Sequence, residues 1–119
     1  MPSLETGHCS LFYEDAGEGF PLVLVHGFGS SSKDWELQLR AFSDRYRVIA
    51  PDLRGFGRSQ RAEPLSIEQF SSDILLILDE AGVRRFHLLG FSLGGAVALQ
   101  IAAVAKERIC RLVLVNTLP

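Results

Sequence analysis

Apolar residues occur in short runs separated by polar turns, and the spacing within each run predicts the element that it forms. Apolar, β-prone runs predict four strands, at residues 21–25, 46–50, 86–89 and 111–115. The first of these is a continuous apolar run, which is typical of a strand buried on both faces. A further short strand is predicted over 9–13, and the turn-rich segment 14–19 is expected to end it.

Three other segments carry apolar residues at helical spacing or in long apolar runs, which predicts helices. They cover residues 32–43, 66–81 and 93–107. Ser32 is the expected N-cap of the first helix. Ser66 and Gln69 have the spacing of a capping box at the start of the second.

The order of these elements predicts the fold class. Strands and helices alternate from residue 21 onward, and right-handed crossovers then give an α/β fold. Its sheet is expected to be doubly wound and mostly parallel, with helices on both faces. No linker interrupts the pattern, so residues 1–119 are expected to form one domain. Ligands of such sheets bind at the carboxyl ends of the strands, where loops begin at His26, Pro51, Gly90 and Asn116.

Composition and charge exclude several classes of function. The chain has 119 residues, of which 47% are hydrophobic and 22% charged, as is typical of a folded globular protein. A net charge of −2 without a basic stripe argues against nucleic-acid binding. The longest apolar stretch, 93–105, is shorter than the roughly 20 residues of a membrane-spanning helix, so no membrane insertion is expected. The first residues lack the features of a secretory signal, which makes a cytoplasmic location the default expectation.

The motifs indicate neither a metal nor a cofactor. Cys9 and Cys110 each lie in or beside an apolar run, and we expect both to be reduced thiols in the core. The glycines of 27–29 lack a third glycine at the spacing of a dinucleotide-binding loop. Residues 32–33 do not match the end of a P-loop either, so phosphate binding is not predicted.

The segment with the most chemical information is Gly90-Phe91-Ser92-Leu93-Gly94, between a predicted strand and a predicted helix. This is the context that a G-x-S-x-G nucleophile elbow requires. Ser92, the serine of this motif, is the candidate nucleophile. It lies at the start of the predicted helix, where the helix N-terminus would stabilise a developing anion. The Leu93 N–H would point at the oxyanion, while Gly90 and Gly94 let neighbouring backbone approach. The alternative interpretation is that Ser92 caps the helix.

A second glycine-rich loop, His26-Gly27-Phe28-Gly29, follows the strand 21–25. A second oxyanion donor is expected from this loop, and the candidate is the backbone N–H of Phe28. Gly27 permits the unusual backbone path that the loop needs. We expect His26 to brace the loop through hydrogen bonds, although it is also the best general base that this chain offers.

The partners for proton transfer are missing from the second half of the chain. After Ser92 there is no histidine, and the only acidic residue is Glu107. A serine nucleophile needs a base, and that base needs an orienting partner. Asp52 could be the acid of a triad. We expect it instead to organise the glycine-rich turn that follows it, with Arg54 or Arg58 as its partner.

Other polar and aromatic residues are given less specific roles. Three aromatic side chains could line a pocket for an acyl group, namely Phe28, Trp35 and Phe91, although core packing is the expected role of Trp35. Two carboxylates in the predicted helix 66–81 are expected to be solvated, and two further histidines are expected to be structural. These four residues are Asp73, Asp79, His8 and His87.

Three segments, 25–29, 51–59 and 90–95, resemble the α/β-hydrolase superfamily in sequence, order and spacing. The chain is similar to the branch that contains serine esterases, enol-lactone hydrolases, carbon–carbon bond hydrolases and cofactor-free haloperoxidases. Serine rather than aspartate at position 92 argues against haloalkane dehalogenases and epoxide hydrolases. The resemblance implies a hydrolase that needs no cofactor and acts on an ester or related acyl bond of a small molecule.

The resemblance also implies that this chain is the N-terminal half of such a hydrolase, truncated before the cap and the last strands. The family carries its acid and histidine on loops after later strands, whereas here Asn116 follows the strand 111–115. An alternative function is therefore that of a catalytically inactive fragment, acting as a binding or assembly module. The strand 111–115 would be an exposed edge, which predicts an oligomer, pairing with a second chain, or poor stability of the isolated chain.

Overall fold

A mixed sheet of six strands organises the computed structural model, which describes residues 2–7 and 9–117. The strands lie in the order β1-β2-β4-β3-β5-β6. Their bounds are Ser3–Glu5 for β1, Ser10–Ala16 for β2, Phe20–Val25 for β3, Tyr46–Pro51 for β4, Phe86–Phe91 for β5 and Ile109–Val115 for β6. The interpretation of His8 as a structural residue falls outside the described part of the chain.

The strands β4, β3, β5 and β6 are parallel neighbours, which confirms the predicted α/β sheet. Antiparallel pairs β1–β2 and β2–β4 complete it, and β1 is a strand that the apolar pattern does not predict. The strand β2 also runs longer than expected, because residues 14–16 pair with 48–50 instead of forming a turn. Cross-strand pairing outweighs the weak β-propensity of this polar segment.

Three α-helices connect the parallel strands within the described residues. They are α1 (Glu36–Phe42), which follows a 3-10 turn over Ser32–Trp35, α2 (Ile67–Glu80), and α3 (Leu93–Ala105), which a 3-10 turn over Lys106–Arg108 extends. The Ser66 hydroxyl accepts a hydrogen bond from the Gln69 N–H, which confirms Ser66 as the N-cap of α2. The Gln69 side chain donates to Asp73, so the reciprocal half of the predicted capping box is not shown. The first turn is capped by Ser31 rather than by Ser32, whose side chain is buried. None of the described helices is long and apolar enough to cross a membrane.

Apolar side chains pack on both faces of the sheet. On one face α2 and α3 cover the larger cluster, in which Ile74, Phe86 and Ile101 are fully buried. On the other face Trp35 and Leu39 pack against a smaller cluster from β3 and β4, so the expected core role of Trp35 is confirmed. This sandwich holds the carboxyl ends of β3, β4, β5 and β6 at one edge of the domain.

The strand β6 lies at the edge of the described sheet, as predicted for 111–115. Its apolar side chains are exposed on both faces, with Val113 49% exposed and Leu114 40% exposed. The pairing of this edge with another chain stays a prediction. Exposure of β6 also corrects the expectation for the cysteines: Cys9 is buried, but Cys110 is exposed, because β6 is largely uncovered within the described part of the chain.

Candidate active site

Ser92 lies in a sharp turn between β5 and α3, with φ 57° and ψ −116°. A non-glycine residue with this backbone conformation costs about 1–3 kcal/mol, so its surroundings must hold it there. The Ser92 N–H donates to the Val115 carbonyl at 3.0 Å, and its carbonyl accepts from the Gly95 N–H at 2.9 Å. The side chain is exposed and makes no cap hydrogen bond to α3. The structure therefore gives no support to the alternative in which the hydroxyl caps the helix.

The two glycines that flank Ser92 allow three backbone segments to touch. A Cβ atom on Gly94 would overlap the carbonyl oxygen of Val25 and lie 2.6 Å from that of His26. A Cβ atom on Gly90 would overlap the carbonyl oxygen of Gly94. The predicted role of both glycines thus corresponds to close contact between the start of α3 and the ends of β3 and β5.

The loop after β3 lies directly beside the turn at Ser92. A Cβ atom on Gly27 would be 3.3 Å from the Ser92 Cβ atom, and the Gly27 carbonyl accepts from the Ser30 N–H. Within the described part of the chain, the N–H groups of Phe28 and Leu93 have no hydrogen-bond acceptor. The first N–H groups of any helix lack internal partners, so the Leu93 N–H is available to an anion. The geometry thus places the two candidate oxyanion donors on the two segments that meet at Ser92.

His26 forms hydrogen bonds with both ring nitrogens. Nδ1 lies 2.8 Å from the carbonyl oxygen of Gly27, and Nε2 accepts from the Leu53 N–H at 3.0 Å. These partners require the neutral ring with its proton on Nδ1. The side chain is fully buried, which lowers the pKa of His26. His26 therefore has the contacts of a brace between the two loops, and no free lone pair with which to take a proton from Ser92.

This burial predicts a loss of stability in mild acid. Desolvation lowers the pKa of His26 below 6.5, although the hydrogen bond to the Gly27 carbonyl and the nearby carboxylates of Asp52 and Asp34 oppose the shift. Below pH 6.5 the unfolded chain binds a proton that the folded chain resists, so stability is full above that pH and falls as the pH decreases. The slope for one such proton reaches about 1.4 kcal/mol per pH unit.

The measurement is urea unfolding between pH 7.5 and pH 5, for the original chain and for His26→Gln. Glutamine can accept from the Leu53 N–H but does not titrate. We expect the free energy of unfolding of His26→Gln to fall less steeply below pH 6.5. If the free energy of unfolding fell equally steeply with pH in both proteins, the loss of stability in mild acid could not be assigned to His26.

Asp52 organises the turn that follows β4, as expected. Its carboxylate accepts from the Ser32 N–H at 2.6 Å and from the Arg58 N–H at 3.0 Å, and its carbonyl accepts from the Ser59 hydroxyl at 2.7 Å. With its carboxylate engaged by these backbone groups, Asp52 has the contacts of a structural residue. Of the two arginines considered as its partner, Arg58 binds the carboxylate through its backbone N–H, whereas the Arg54 guanidinium binds a different carboxylate.

That carboxylate is Asp73, and the expectation that it is solvated is wrong. The side chains of Asp73 and Arg54 are 3% and 5% exposed and form two parallel hydrogen bonds of 2.9 Å. The sequence did contain a signal, because Asp73 lies three residues after Phe70 and four before Ile77, on the apolar face of α2. Asp79 is exposed as expected, although it forms a surface ion pair with Arg108.

A largely apolar pocket lies beside the two candidate oxyanion donors. Its volume is about 380 Å³, and it is lined by Phe28, Phe56, Arg61, Leu65, Ser66, Ile67, Phe70 and Leu93. We call it the Phe56 pocket, because the Phe56 ring stacks edge-on against Phe28 and Phe70, with centroids 5.7 Å and 6.2 Å apart. Sequence analysis identified Phe28 as a lining residue and missed the others.

The other aromatic residues are located elsewhere. Trp35 and Phe91 line a smaller cleft of about 220 Å³ together with His26, so the three predicted pocket residues do not share one cavity. His87 lies at the start of β5 and packs against the rings of Phe20 and Tyr46, as expected for a structural residue. Among residues 2–7 and 9–117, no group of three His, Cys, Asp or Glu side chains could hold a metal ion.

Comparison with known proteins finds relatives over almost the whole chain. The dihydrolipoyllysine-residue acetyltransferase component of the acetoin cleaving system of Pseudomonas putida is 40% identical over 111 residues, or 92% of this chain and 30% of the relative. A hydrolase from Pseudomonas aeruginosa PA01 has a similar structure, with a TM-score of 0.91 and 38% identity over 98% of this chain and 45% of its own. A thermophilic esterase from Thermogutta terrifontis has a TM-score of 0.90 and 36% identity, over 97% and 43%.

The chain spans less than half the length of each of these relatives. A family model described as the alpha/beta hydrolase fold matches residues 21–119, which include β3 through β6 and the turn at Ser92. On this match, and on the sheet order and close backbone contacts described above, the chain belongs to the α/β-hydrolase family.

Proposed function

We propose that this chain carries the nucleophile and the oxyanion hole of a serine hydrolase that acts on ester or related acyl bonds. The observation that carries the proposal is the exposed Ser92, held at positive φ where β5 meets α3. A strained, exposed serine at this position is the arrangement of a nucleophile elbow. The relatives of this chain include a protein described as a hydrolase and one described as an esterase, which supports hydrolysis as the class of reaction.

In the proposed reaction, the Ser92 hydroxyl oxygen attacks the carbonyl carbon of the ester while a base removes its proton. The carbonyl oxygen becomes an oxyanion, and the N–H groups of Phe28 and Leu93 donate hydrogen bonds to it. The carbon–oxygen bond of the ester then breaks, the departing alkoxide takes up the proton, and the acyl group remains on Ser92. Attack by water on this acyl-enzyme releases the carboxylic acid and restores the serine.

The base must come from outside the described residues, because both nitrogens of His26 are engaged. We propose that a histidine and its orienting acid are supplied by a further polypeptide segment that approaches the open side of Ser92. Serine proteases that lack a triad residue still accelerate hydrolysis roughly 10³-fold over the reaction in water, through the oxyanion hole and substrate binding alone. Weak turnover would therefore not demonstrate a complete triad.

The test is labelling with a fluorophosphonate, followed by mass spectrometry of the modified peptide. We expect labelling of Ser92 in the folded chain to be slow but faster than in the same chain in denaturant, because only the folded chain presents the two N–H donors to the developing anion. Ser92→Ala should abolish the label. Ser72→Ala is the control: it removes a different exposed serine, which lies on α2, and should leave the label on Ser92 unchanged.

A folded chain that fails to label at Ser92 would contradict the proposal for this polypeptide. It would favour the alternative of a catalytically inactive module. Far-UV circular dichroism of every sample is needed, because an unfolded chain would also remain unlabelled.

A further inference from the structure

We propose that Phe56 is a positioning residue for the oxyanion hole, because its ring supports the two side chains that set the direction of the Phe28 N–H. Phe56 lies in the turn after β4, outside the two segments that meet at Ser92. The inference rests on the proposed function, in which the Phe28 N–H donates to the developing oxyanion. It adds a residue that acts through Phe28 rather than on the reacting atoms.

The donor N–H belongs to the peptide group between Gly27 and Phe28. This peptide is planar and trans, so its N–H points away from its carbonyl oxygen. The carbonyl oxygen lies 2.8 Å from Nδ1 of His26 and accepts from the Ser30 N–H at 3.2 Å. The contacts of the Gly27 carbonyl therefore set the direction in which the Phe28 N–H points.

The backbone of this loop needs support from side chains. Phe28 lies between Gly27 and Gly29, and Gly29 has a φ of 73°, which glycine adopts at little steric cost. Glycine also loses more conformational freedom on folding than any other residue. A donor placed between two glycines therefore keeps one orientation only if neighbouring side chains hold it.

The Phe56 ring contacts the side chains on both sides of the Gly27–Phe28 peptide group. It lies edge-on to the ring of His26, with centroids 5.6 Å apart and planes at 69°. It also lies edge-on to the ring of Phe28, with centroids 5.7 Å apart and planes at 74°. Aromatic pairs favour this geometry. Phe28 is 76% exposed, and Phe56 is its only ring partner among the described residues, so loss of the Phe56 ring would free this side chain.

Phe56 is itself fixed to the body of the domain. Its N–H donates to the Leu53 carbonyl at 2.8 Å, and its carbonyl accepts from the Ser59 N–H at 3.0 Å. Its ring lies 6.2 Å from that of Phe70, which is buried on α2. A continuous line of rings thus connects α2 to the loop that carries the Phe28 N–H.

NMR relaxation of backbone amides tests this role without requiring catalysis. Phe56→Leu keeps an apolar side chain but removes the ring, so we expect the order parameter of the Phe28 amide to fall from about 0.85 to below about 0.6. Phe20→Leu is the control, because it removes another ring paired with a histidine, His87, at the opposite end of β3. It should leave the Phe28 amide rigid.

Phe28→Ala breaks the same ring pair from its exposed side, so it tests the contact even if Phe56→Leu proves unstable. The amide of residue 28 should lose order in this variant as well. An amide that is as ordered in either folded variant as in the original chain would overturn the inference. Equal loss of order in Phe20→Leu would also overturn it, because the effect would not depend on the Phe56 contact.

The rate of fluorophosphonate labelling at Ser92 tests the consequence for reactivity. Removal of one oxyanion donor slows catalysis about 10²–10³-fold, and a disordered donor retains part of its effect. We therefore expect labelling to be at least about tenfold slower in Phe56→Leu and in Phe28→Ala. Because both variants break one contact, the double variant should label within about twofold of the slower single variant. Losses that multiply in the double variant would contradict a shared contact.

The outcomes for the two proposals can be told apart. If the original chain never labels at Ser92, the nucleophile proposal fails, whereas loss of order at residue 28 in both variants still supports the role of Phe56. If Ser92 labels in the original chain and equally fast in Phe56→Leu, the nucleophile is supported and Phe56 is rejected as a positioning residue.

Discussion

Replacing Asp73 by alanine is expected to lower the free energy of unfolding by about 3–5 kcal/mol, because it leaves the Arg54 guanidinium buried without its counter-charge. The pair is 3% and 5% exposed, so water cannot replace the lost carboxylate. Asp73 also accepts from the Gln69 side chain, and the remaining contacts of Arg54 are longer, at 3.4 Å to Ala62 and 3.5 Å to Glu63. Small domains are stable by only about 5–15 kcal/mol, so this variant should be close to unfolding.

Urea unfolding followed by circular dichroism at pH 7 would measure the change. Asp79→Ala is the matched control, because it removes another carboxylate from the same helix. The Asp79 side chain is 62% exposed and pairs with Arg108. Exposed pairs contribute about 0–1 kcal/mol, so this control should change stability little. The double variant Arg54→Met/Asp73→Leu should recover much of the loss, because neither charge then remains buried. Equal losses in Asp73→Ala and Asp79→Ala would contradict this account.

Replacing Gly94 by alanine is expected to destabilise the chain by about 3 kcal/mol or more, because its methyl group would overlap the backbone of β3. The obstructing atoms are the carbonyl oxygens of Val25 and His26, which cannot rotate away as a side chain can. The start of α3 would have to move away from the sheet. Such a movement would also displace Leu93 and Ser92, so we expect fluorophosphonate labelling to decrease together with stability.

Gly95→Ala provides the control at the adjacent position of the same helix. There the new methyl group would overlap the side chain of Thr117, with its Cβ atom 2.6 Å away, so residue 117 after β6 would have to shift. Alanine is favoured over glycine within a helix by roughly 0.5–1 kcal/mol, which offsets part of the clash. We expect Gly95→Ala to cost less than Gly94→Ala, because the residue that must shift lies after the last strand rather than within β3. Thermal unfolding of both variants would reveal the difference, and a Gly95→Ala variant as unstable as Gly94→Ala would refute the role of the backbone contact.

Asp73 and Gly94 both hold elements of the candidate site in place through contacts outside it. Asp73 and Arg54 hold the long segment between β4 and α2 against α2, and this segment carries Phe56 into the pocket. Gly94 lets α3 approach β3 closely enough for the loop at Phe28 to meet the turn at Ser92. The candidate site therefore depends on contacts that lie outside it.

Much of this arrangement was predictable from local patterns. Apolar runs with β-prone residues determined the four parallel strands, and helical spacing determined α2 and α3, because each element must bury one face against its neighbours. The turn motif at residues 90–94 predicted Ser92, since two glycines between a strand and a helix are needed only where backbones approach closely. The brace formed by His26 was likewise expected from its place at the end of β3.

Other features could not be inferred from neighbouring residues along the chain. The burial of Asp73 requires the guanidinium of Arg54, 19 residues earlier, and helical spacing alone indicates the face but not the partner. The continuation of β2 through residues 14–16 requires β4 as a pairing strand. The Phe56 pocket combines residues from two loops and two helices, so no single segment predicts it.

The sequence by itself determined the order of elements, the parallel α/β sheet and the identity of the exposed serine, because these follow from periodicity and from backbone requirements of short motifs. The tertiary structure alone decided which charges are buried, which histidine nitrogens are engaged and where the pocket lies. Those properties depend on distances between residues that are far apart in the chain, and burial changes their energies by several kcal/mol. Packing, rather than local pattern, therefore assigns the role of each polar residue around Ser92.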